Sequence, residues 1–338
     1  MNWIYLFFTS LLFVCCGSSS GKQHNVTVEQ PKEIAQVVEP AVIVPIFDAD
    51  SAYSFIEAQV NFGPRVPGTA SHRKCGDYLI TKFESFGATV VTQDMELLVY
   101  NGDLLKARNI IAQFNPEMDN RIMLCAHWDT RPWADSDPDK ANHYKPLPGA
   151  NDGGSGVGVL LEVARHIGTL PTNLGIDIIL FDAEDYGLHE NDSHLWRNHR
   201  HSWALGSQFW SINPHKPGYN ARYGMLLDIV GAPDSKFLYE GHSTRFADDI
   251  VYKVWQCASK LGYGNYFVQE DGGFITDDHY YVNNILGLPC IDIINCDPDS
   301  PNGFGPYHHT MKDDMEWIDK TTLKAVGQTV LTVIYNEK

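Results

Sequence analysis

Apolar runs alternate with helix-like segments along most of the chain, and this pattern predicts an α/β fold. Residues 121–126 (RIMLCA) and 176–181 are almost unbroken apolar runs, which is typical of strands buried on both faces of a sheet. Residues 244–261 instead place apolar side chains at helical spacing. The remaining predicted strands are 90–95, 109–114, 223–229 and 289–294, and the remaining predicted helices are 52–61, 72–86, 156–167 and 319–335. We therefore expect a single three-layer α/β/α domain with a central mixed, mostly parallel sheet.

An apolar run at residues 3–14 precedes the predicted domain. It is too short to cross a bilayer, but its length suits the core of a signal peptide. Cys15 and Cys16 follow at once, and this order resembles a bacterial lipoprotein signal in which Cys16, or Cys15, takes the lipid. The alternative is an ordinary secretory signal with incidental cysteines. We expect a signal peptide over 1–16, a flexible tether over 17–41 and a folded domain over 42–338, exported to the periplasm or outer membrane of a bacterium.

The charge balance argues against two classes of partner. The chain has 25 Lys and Arg residues against 42 Asp and Glu, which gives a net charge of −17. Nucleic acid and anionic membranes would be repelled by such a surface, so we expect neither, apart from the possible lipid anchor. None of the five cysteines after the signal forms a CxxC pair, and we predict no disulfide framework. These cysteines are Cys75, Cys125, Cys257, Cys290 and Cys296.

Side chains that can bind metal follow the predicted strands one after another. Any one of them alone is more often a hydrogen-bonded structural residue than a ligand. Together they lie where an open α/β sheet places its ligands, at the carboxyl ends of the strands. Oxygen and nitrogen ligands without thiolate suit a catalytic zinc that keeps an open position. The series is His127 and Asp129, Asp152, Glu184 and Asp185, Asp228, Asp277 and Asp278 with His279, and His308 and His309.

Two adjacent carboxylates, Glu184 and Asp185, end the buried run 176–181. Like charges side by side repel, so a buried pair needs a reason. Adjacent residues of an extended chain point to opposite sides, so one carboxylate can bind a metal ion while its neighbour stays free. The metal offsets the charge of the first, and the second becomes a positioned base.

Six motifs give the chain a resemblance to the zinc aminopeptidase-like superfamily and, within it, to the glutaminyl-peptide cyclotransferases. They extend the resemblance from about residue 54 to the C-terminus. The motifs are AHWDTRPWADSDPD (126–139), GANDGGSGVGVLLEVAR (149–165), IILFDAEDYG (178–187), LLDIVGAPDS (226–235), TDDHYYV (276–282) and YHHTMKDD (307–314).

The resemblance implies a role for each matched residue. One zinc ion per chain is expected, and His309 is preferred over His308 because HTMxDD is the string of the family. An aromatic pocket is expected too, although core packing is an equal alternative for Trp133 and Phe304. The implied metal ligands are Asp152, Asp185 and His309, the catalytic residues are Glu184, Asp228 and Asp277, and the substrate-binding residues are Trp196, Trp128 and Phe304.

The activity implied by the resemblance is cyclisation of N-terminal glutamine in peptides and proteins to pyroglutamate, with release of ammonia. Zinc would polarise the γ-amide, and Glu184 would act as general acid and base. A two-zinc aminopeptidase is the alternative, with His127 as a ligand of the second metal. The aminopeptidase mechanism assigns no role to Asp277. A binding protein on an inactive fold would be expected to have lost Glu184 or a ligand, and neither is lost.

Three features depart from the animal enzymes of this family. Asp185 stands where they carry Glu, and Cys125 has no partner cysteine for their disulfide. Residues 188–208 form a long histidine-rich segment that we interpret as a solvated loop. Residues 131–135 (RPWAD) receive no role from the sequence.

Overall fold

A six-stranded sheet forms the centre of the structure, a computed structural model that describes Gly17 and residues 42–297, 300 and 302–338. Its strand order is β1-β2-β4-β3-β5-β8. Strands β4, β3, β5 and β8 are parallel, whereas β1 and β2 form an antiparallel edge. The bounds are β1 Thr89–Leu98, β2 Leu104–Phe114, β3 Arg121–His127, β4 Gly175–Phe181, β5 Gly224–Asp228, β6 Phe237–Tyr239, β7 Phe267–Asp271 and β8 Cys290–Ile294. The predicted mixed, mostly parallel sheet is confirmed.

Helices cover both faces of the sheet, as the alternating side chains of β3 show. Leu124 belongs to the large core cluster shared with the helices of one face, whereas Met123 and Cys125 belong to a smaller cluster on the other. Because both faces are covered, β3 and β4 are mainly apolar, and the buried charges of Arg121 and Asp177 pair with each other. The helices are α1 Ala49–Val60, α2 Ala70–Ser85, α3 Gly154–Thr169, α4 Trp196–His199, α5 Leu205–Ile212, α6 Gly241–Lys260, α7 Asp278–Tyr281 and α8 Lys320–Asn336.

Side-chain caps fix where several helices begin. Asp48 accepts hydrogen bonds from backbone N–H groups of α1, and Asp319 does the same for α8. Helix α3 has no side-chain cap: Gly153 precedes it with φ 79°. A Cβ there would lie 2.6 Å from the Asp129 carbonyl oxygen, so only glycine lets the helix start this close to β3.

The sequence pattern missed several elements. The two-stranded parallel sheet of β6 and β7 and the helices α5 and α7 were not predicted. The interpretation of residues 188–208 as a solvated loop is only partly correct: most of residues 190–201 are exposed, but the segment carries a 3-10 turn (Glu190–Leu195), α4 and the start of α5. His189 and Ser202 within it are buried. Tertiary contacts hold this segment in place, and such contacts leave no periodic pattern of apolar residues in the sequence.

The N-terminal predictions fall on residues that lie almost wholly outside the described part of the chain. This applies to the signal peptide, to Cys15 and Cys16, and to the tether except for Gly17. Val42–Lys338 forms one compact unit. In the part of the chain that the structure describes, no helix has the length and apolar content needed to cross a bilayer. The five cysteines of this part are free thiols.

Candidate active site

The turn after β4 carries both carboxylates and is fixed from β3. Asp129 accepts a hydrogen bond from the Glu184 N–H at its Oδ1 (3.1 Å) and one from the Asp185 N–H at its Oδ2 (3.2 Å). Because these bonds hold the two consecutive peptide groups, the two side chains diverge from a fixed backbone. Asp129, one of the metal-capable side chains of the sequence series, therefore positions the turn.

Asp152, Asp185 and His309 lie together at the carboxyl edge of the sheet. His309 Nε2 is 3.2 Å from Asp185 Oδ1 and 3.6 Å from Asp152 Oδ2. His308 Nε2 comes no closer than 4.0 Å to Asp152 Oδ2, so His309 is the better placed of the two histidines. Both Asp185 oxygens are buried and have no hydrogen-bond partner among the described residues. Orphaned carboxylate oxygens beside an imidazole nitrogen fit a divalent cation.

The electrostatics of this trio favour a bound cation. Burial, with the Arg131 guanidinium next, lowers the pKa of His309 to about 4, so its imidazole is neutral and can act as a ligand. Burial, with the Asp152 carboxylate next, raises the pKa of Asp185 well above its usual range. A cation between them would stabilise Asp185 as a carboxylate.

Asp152 is placed by a carboxylate from the far end of the chain. Asp313 accepts the backbone N–H of Asn151 at one oxygen (2.7 Å) and that of Asp152 at the other (3.1 Å). This bond pair ties the turn before α3 to the loop that carries His309. The Asp-Asp of the C-terminal motif therefore has a positioning role that the sequence did not reveal.

Arg131 gives residues 131–135 a physical role. Its buried guanidinium donates to Asp135 Oδ1 (2.8 Å), to the Asp185 carbonyl (3.2 Å) and to the Leu188 carbonyl (2.9 Å). The Trp203 ring covers it at 4.6 Å. Arg131 therefore holds the Asp185 backbone and supplies positive charge behind that carboxylate.

His127 joins a second cluster beside the first. Its Nε2 lies 3.1 Å from Asp152 Oδ1 and 3.1 Å from Asp228 Oδ1. Although burial opposes it, the Asp228 carboxylate, helped by hydrogen bonds to Asp129, Asp152 and Asp228, raises the pKa of His127 well above its usual range. This geometry accommodates either a protonated imidazole between two carboxylates or a second cation.

A group of acids lines a cavity at this edge of the sheet. Glu184, Asp228 and Asp277 line a cavity of about 270 Å³ together with His309. Burial, with the Asp277 carboxylate next, raises the pKa of Glu184 well above its usual range. Burial, with Asp228 next, raises the pKa of Asp277 to about 7. Oδ1 of Asp277 accepts the Asp278 N–H, but its Oδ2 has no hydrogen-bond partner in the described part of the molecule.

Behind Asp277 lies a buried network that the sequence did not predict. Glu240 accepts hydrogen bonds from the N–H groups of Ser243 (2.6 Å) and Ile275 (3.0 Å) and pairs with His279 Nε2 (2.9 Å). Although burial opposes it, the His279 hydrogen bond lowers the pKa of Glu240 to about 2. His279 Nδ1 faces Asp292 Oδ2 at 3.4 Å. The sequence signals for this network were Asp292, an ionisable residue inside the apolar strand CIDII, and His279, which follows Asp277 and Asp278.

Backbone strain concentrates at the site. Six non-glycine residues in the described ranges have positive φ, and four of them lie in the segments that build the site. The least tolerant is Ile229 (φ 41°), whose N–H donates to Asp228 Oδ1 (2.8 Å). Such strain persists where the surrounding structure over-determines it, as at functional sites. The other three are Ala183, Ala204 and His309.

The predicted aromatic pocket is only partly correct. Trp196 and Phe304 line the cavity, but Trp128 does not. Trp128 is fully buried and stacks on His72 at 4.1 Å, because strand alternation after β3 turns it toward α2. Its assignment to substrate binding is therefore wrong.

Two other tryptophans, Trp133 and Trp203, differ in their position relative to the cavity. Trp133 packs on Tyr186 (5.2 Å between ring centroids) and is outside the cavity lining, which fits the packing alternative. Trp203, which the sequence did not single out, lines the cavity and stacks parallel to His309 at 5.8 Å.

An open α/β sheet with a carboxylate and histidine site at its carboxyl edge defines the class, a metal-dependent α/β enzyme. The model of peptidase family M28 matches residues 109–334, more than half of the 338-residue chain. The chain belongs to this family, as the resemblance of the motifs predicted.

Solved structures and curated proteins add relatives of two kinds. A glutaminyl cyclase from Tannerella forsythia is 55% identical (TM-score 0.84) and covers 87% of this chain and 100% of its own. A Zn-dependent exopeptidase from Parabacteroides distasonis is 55% identical (TM-score 0.85), with coverage of 87% and 100%. The similarity to this exopeptidase and the family implies that the cation is zinc.

The curated relatives are more distant. Aminopeptidase YwaD of Bacillus subtilis is 27% identical over 63% of this chain, and the glutaminyl-peptide cyclotransferase of Bos taurus is 28% identical over 64%. The chain spans 40% of the length of the first and 62% of the second.

Proposed function

We propose that the chain is a glutaminyl-peptide cyclotransferase that converts N-terminal glutamine of peptides and proteins to pyroglutamate. The observation that carries this proposal is the Asp277 carboxyl, which faces the same cavity as Glu184 and has an oxygen without a partner among the described residues. A substrate α-amine supplies the missing donor. The glutaminyl cyclases at 55% identity support the same activity.

The side chains divide the reaction between them. Zinc held by Asp152, Asp185 and His309 would polarise the γ-carbonyl of the glutamine. Glu184 accepts a proton from the α-amine as its nitrogen bonds to the carbonyl carbon of the side-chain amide (Cδ), and it returns a proton to the amide nitrogen as the bond between Cδ and that nitrogen breaks. The products are a pyroglutamyl peptide and ammonia.

The other residues orient the substrate and exclude water. Asp277 accepts a hydrogen bond from the α-amine, and Asp228 stabilises the charge that develops beside it. The nucleophile and the carbonyl belong to one residue, so the site has only to hold a ring-closing conformer. Trp203 and Phe304 keep water from competing as a nucleophile.

We further propose one zinc ion per chain. A protonated His127 between Asp152 and Asp228 would occupy the place of a second ion. The same cluster favours the second candidate, a two-zinc aminopeptidase in which Glu184 activates water. The similarity to aminopeptidase YwaD supports that candidate, and the orphaned Asp277 oxygen argues against it.

Two peptides and a metal count separate the candidates. The purified protein is incubated with a peptide that begins with glutamine and one that begins with leucine, and both are followed by mass spectrometry. The cyclase predicts loss of one ammonia from the glutamine peptide alone, with one zinc per chain. Stepwise removal of N-terminal residues, with two zinc ions per chain, would establish the aminopeptidase instead.

From the sequence alone we also propose export with a lipid on Cys16 or Cys15. Metabolic labelling with a radioactive fatty acid tests it. Label on the native protein should disappear when Cys15 and Cys16 are both replaced by serine. Label that persists in this variant, or none on the native protein, contradicts the lipid anchor.

A further inference from the structure

The cavity has chemically different ends. Its inner surface carries Glu184, Asp228 and Asp277 together with Asp152 and His309 of the metal trio, and under the proposed function this surface takes the glutamine. The rest of the peptide has to leave through the open end. The exposed residues of the lining include Trp196, with 57% of its surface accessible, and Arg200.

Both residues belong to a segment held at the site by hydrogen bonds. His201 Nδ1 lies 3.0 Å from the Tyr281 hydroxyl on α7, and the Ala204 N–H donates to the Glu184 carbonyl (2.9 Å). The Leu188 N–H donates to Ser202 Oγ (3.3 Å). Because its neighbour His201 is anchored to Tyr281 on α7, the backbone of Arg200 is held at the edge of the cavity.

Arg200 is a positively charged residue in a cavity whose lining includes several acidic residues. The acids Asp152, Glu184, Asp228 and Asp277 line the same cavity, and the whole chain carries a net charge of −17. Arg200 nevertheless makes no hydrogen bond or ion pair within the described residues, although arginine is a bidentate partner for carboxylates. A carboxylate brought by the substrate would be that partner.

We propose that Arg200 and Trp196 form a subsite for the residues after the N-terminal glutamine and favour aspartate or glutamate at the second or third position. The inference rests on the proposed function, since it places glutamine at the inner end. Trp196 offers an apolar face to the peptide, and Arg200 attracts its carboxylate. The preferred substrates are therefore peptides with an acidic residue close behind the glutamine.

The expected preference is modest because Arg200 is exposed. Exposed ion pairs change free energies little, so acidic peptides should exceed neutral ones in kcat/KM by about two- to fivefold. The advantage should shrink in about 0.5 M salt, where the screening length is only a few ångströms.

The test compares peptide series on native protein and two charge reversals. The substrates are Gln-Ala-Ala, Gln-Glu-Ala, Gln-Ala-Glu and Gln-Lys-Ala peptides of equal length, and the readout is each kcat/KM relative to the neutral peptide. Arg200→Glu should lower the acidic-to-neutral ratio below one and raise the lysine ratio. Arg197→Glu is the matched control, because Arg197 is exposed on α4, three residues before Arg200, but lies outside the cavity lining. It should leave the ratios near native values.

Two results would overturn the subsite. Ratios unchanged in Arg200→Glu would show that the rim charge is not sensed, and an equal shift in Arg197→Glu would show a general field. Failure of the proposed function has a different signature, since the native protein would then not cyclise even the neutral Gln-Ala-Ala peptide.

Discussion

The two carboxylates that end β4 are neighbours in sequence, but their surroundings differ. Asp185 faces the Arg131 side chain (Nη1 to Oδ1, 3.7 Å) and the neutral imidazole of His309 (3.2 Å). Glu184 faces Asp277, which together with burial raises its pKa. A bound cation would therefore stabilise a carboxylate on the metal side, whereas the acid side stabilises a proton. The surroundings of each carboxyl group, more than whether it belongs to Asp or Glu, determine its role in the site.

Breaking the metal side should have the largest effect. Asp185→Asn keeps the shape of the side chain but removes its charge, so we expect loss of zinc and loss of cyclase activity at least as large as that of any other single change. Zinc content by plasma mass spectrometry and turnover of a glutamine peptide measure both. His308→Gln is the control, and it should retain zinc, because His308 Nε2 is 4.0 Å from Asp152. Normal zinc in Asp185→Asn would exclude this residue as a ligand.

A substitution on the acid side should lower activity without lowering the zinc content. Glu184→Gln removes the proton acceptor and leaves its neighbour intact, so kcat should fall by about 10²- to 10⁴-fold while zinc stays bound. Steady-state kinetics and metal analysis on one preparation measure the two effects. If zinc were lost together with activity, the division between the two sides would be incorrect.

The role of Arg131 in holding the proposed metal ligand Asp185 can be tested by a conservative substitution. Arg131→Lys keeps the charge but loses the fork that joins Asp135 to the Asp185 carbonyl. Zinc affinity should weaken by about ten- to a hundredfold, measured by competition with a chelator. Arg121→Lys is the matched control, since this buried arginine pairs with Asp177 (2.6 Å) at the opposite end of β3. Equal weakening in both variants would indicate general destabilisation.

The sequence could predict that the residues of the metal side lie together, because strand ends and side chains that can bind metal are local signals. Apolar runs mark β3 and β4, and the residues that follow each run must meet at one edge of a parallel sheet. The choice of His309 over His308 came from family resemblance, and the distances to Asp185 agree with it. Trp128 was misassigned because its motif does not state which face the chain presents after β3.

The supporting residues could not be predicted, because they join segments that are far apart in sequence. Asp313 binds the Asn151 N–H across 162 residues, and Glu240 meets His279 across 39. No periodicity records such pairs. The interpretation of residues 188–208 was only partly correct for the same reason, since Trp203 is placed by contacts with Arg131 and His309.

The smallest expected effect concerns the network behind the acid side, and it appears in the pH profile. Burial and Asp228 raise the pKa of Asp277 to about 7, and His279 opposes that rise. His279→Gln removes the opposing influence, so the pKa of Asp277 should increase further and its carboxylate should form only at higher pH.

The acidic limb of kcat/KM should then move to higher pH. We expect a loss of about two- to tenfold near pH 7 that fades at alkaline pH, where Asp277 ionises in both proteins. A purely structural defect would lower activity equally at every pH. His242→Gln is the control, because His242 lies beside His279 (6.2 Å between ring centroids) and its backbone N–H, which the substitution keeps, makes its contact with Glu240. An unshifted acidic limb in His279→Gln would mean that Asp277 is not the group whose ionisation the reaction requires.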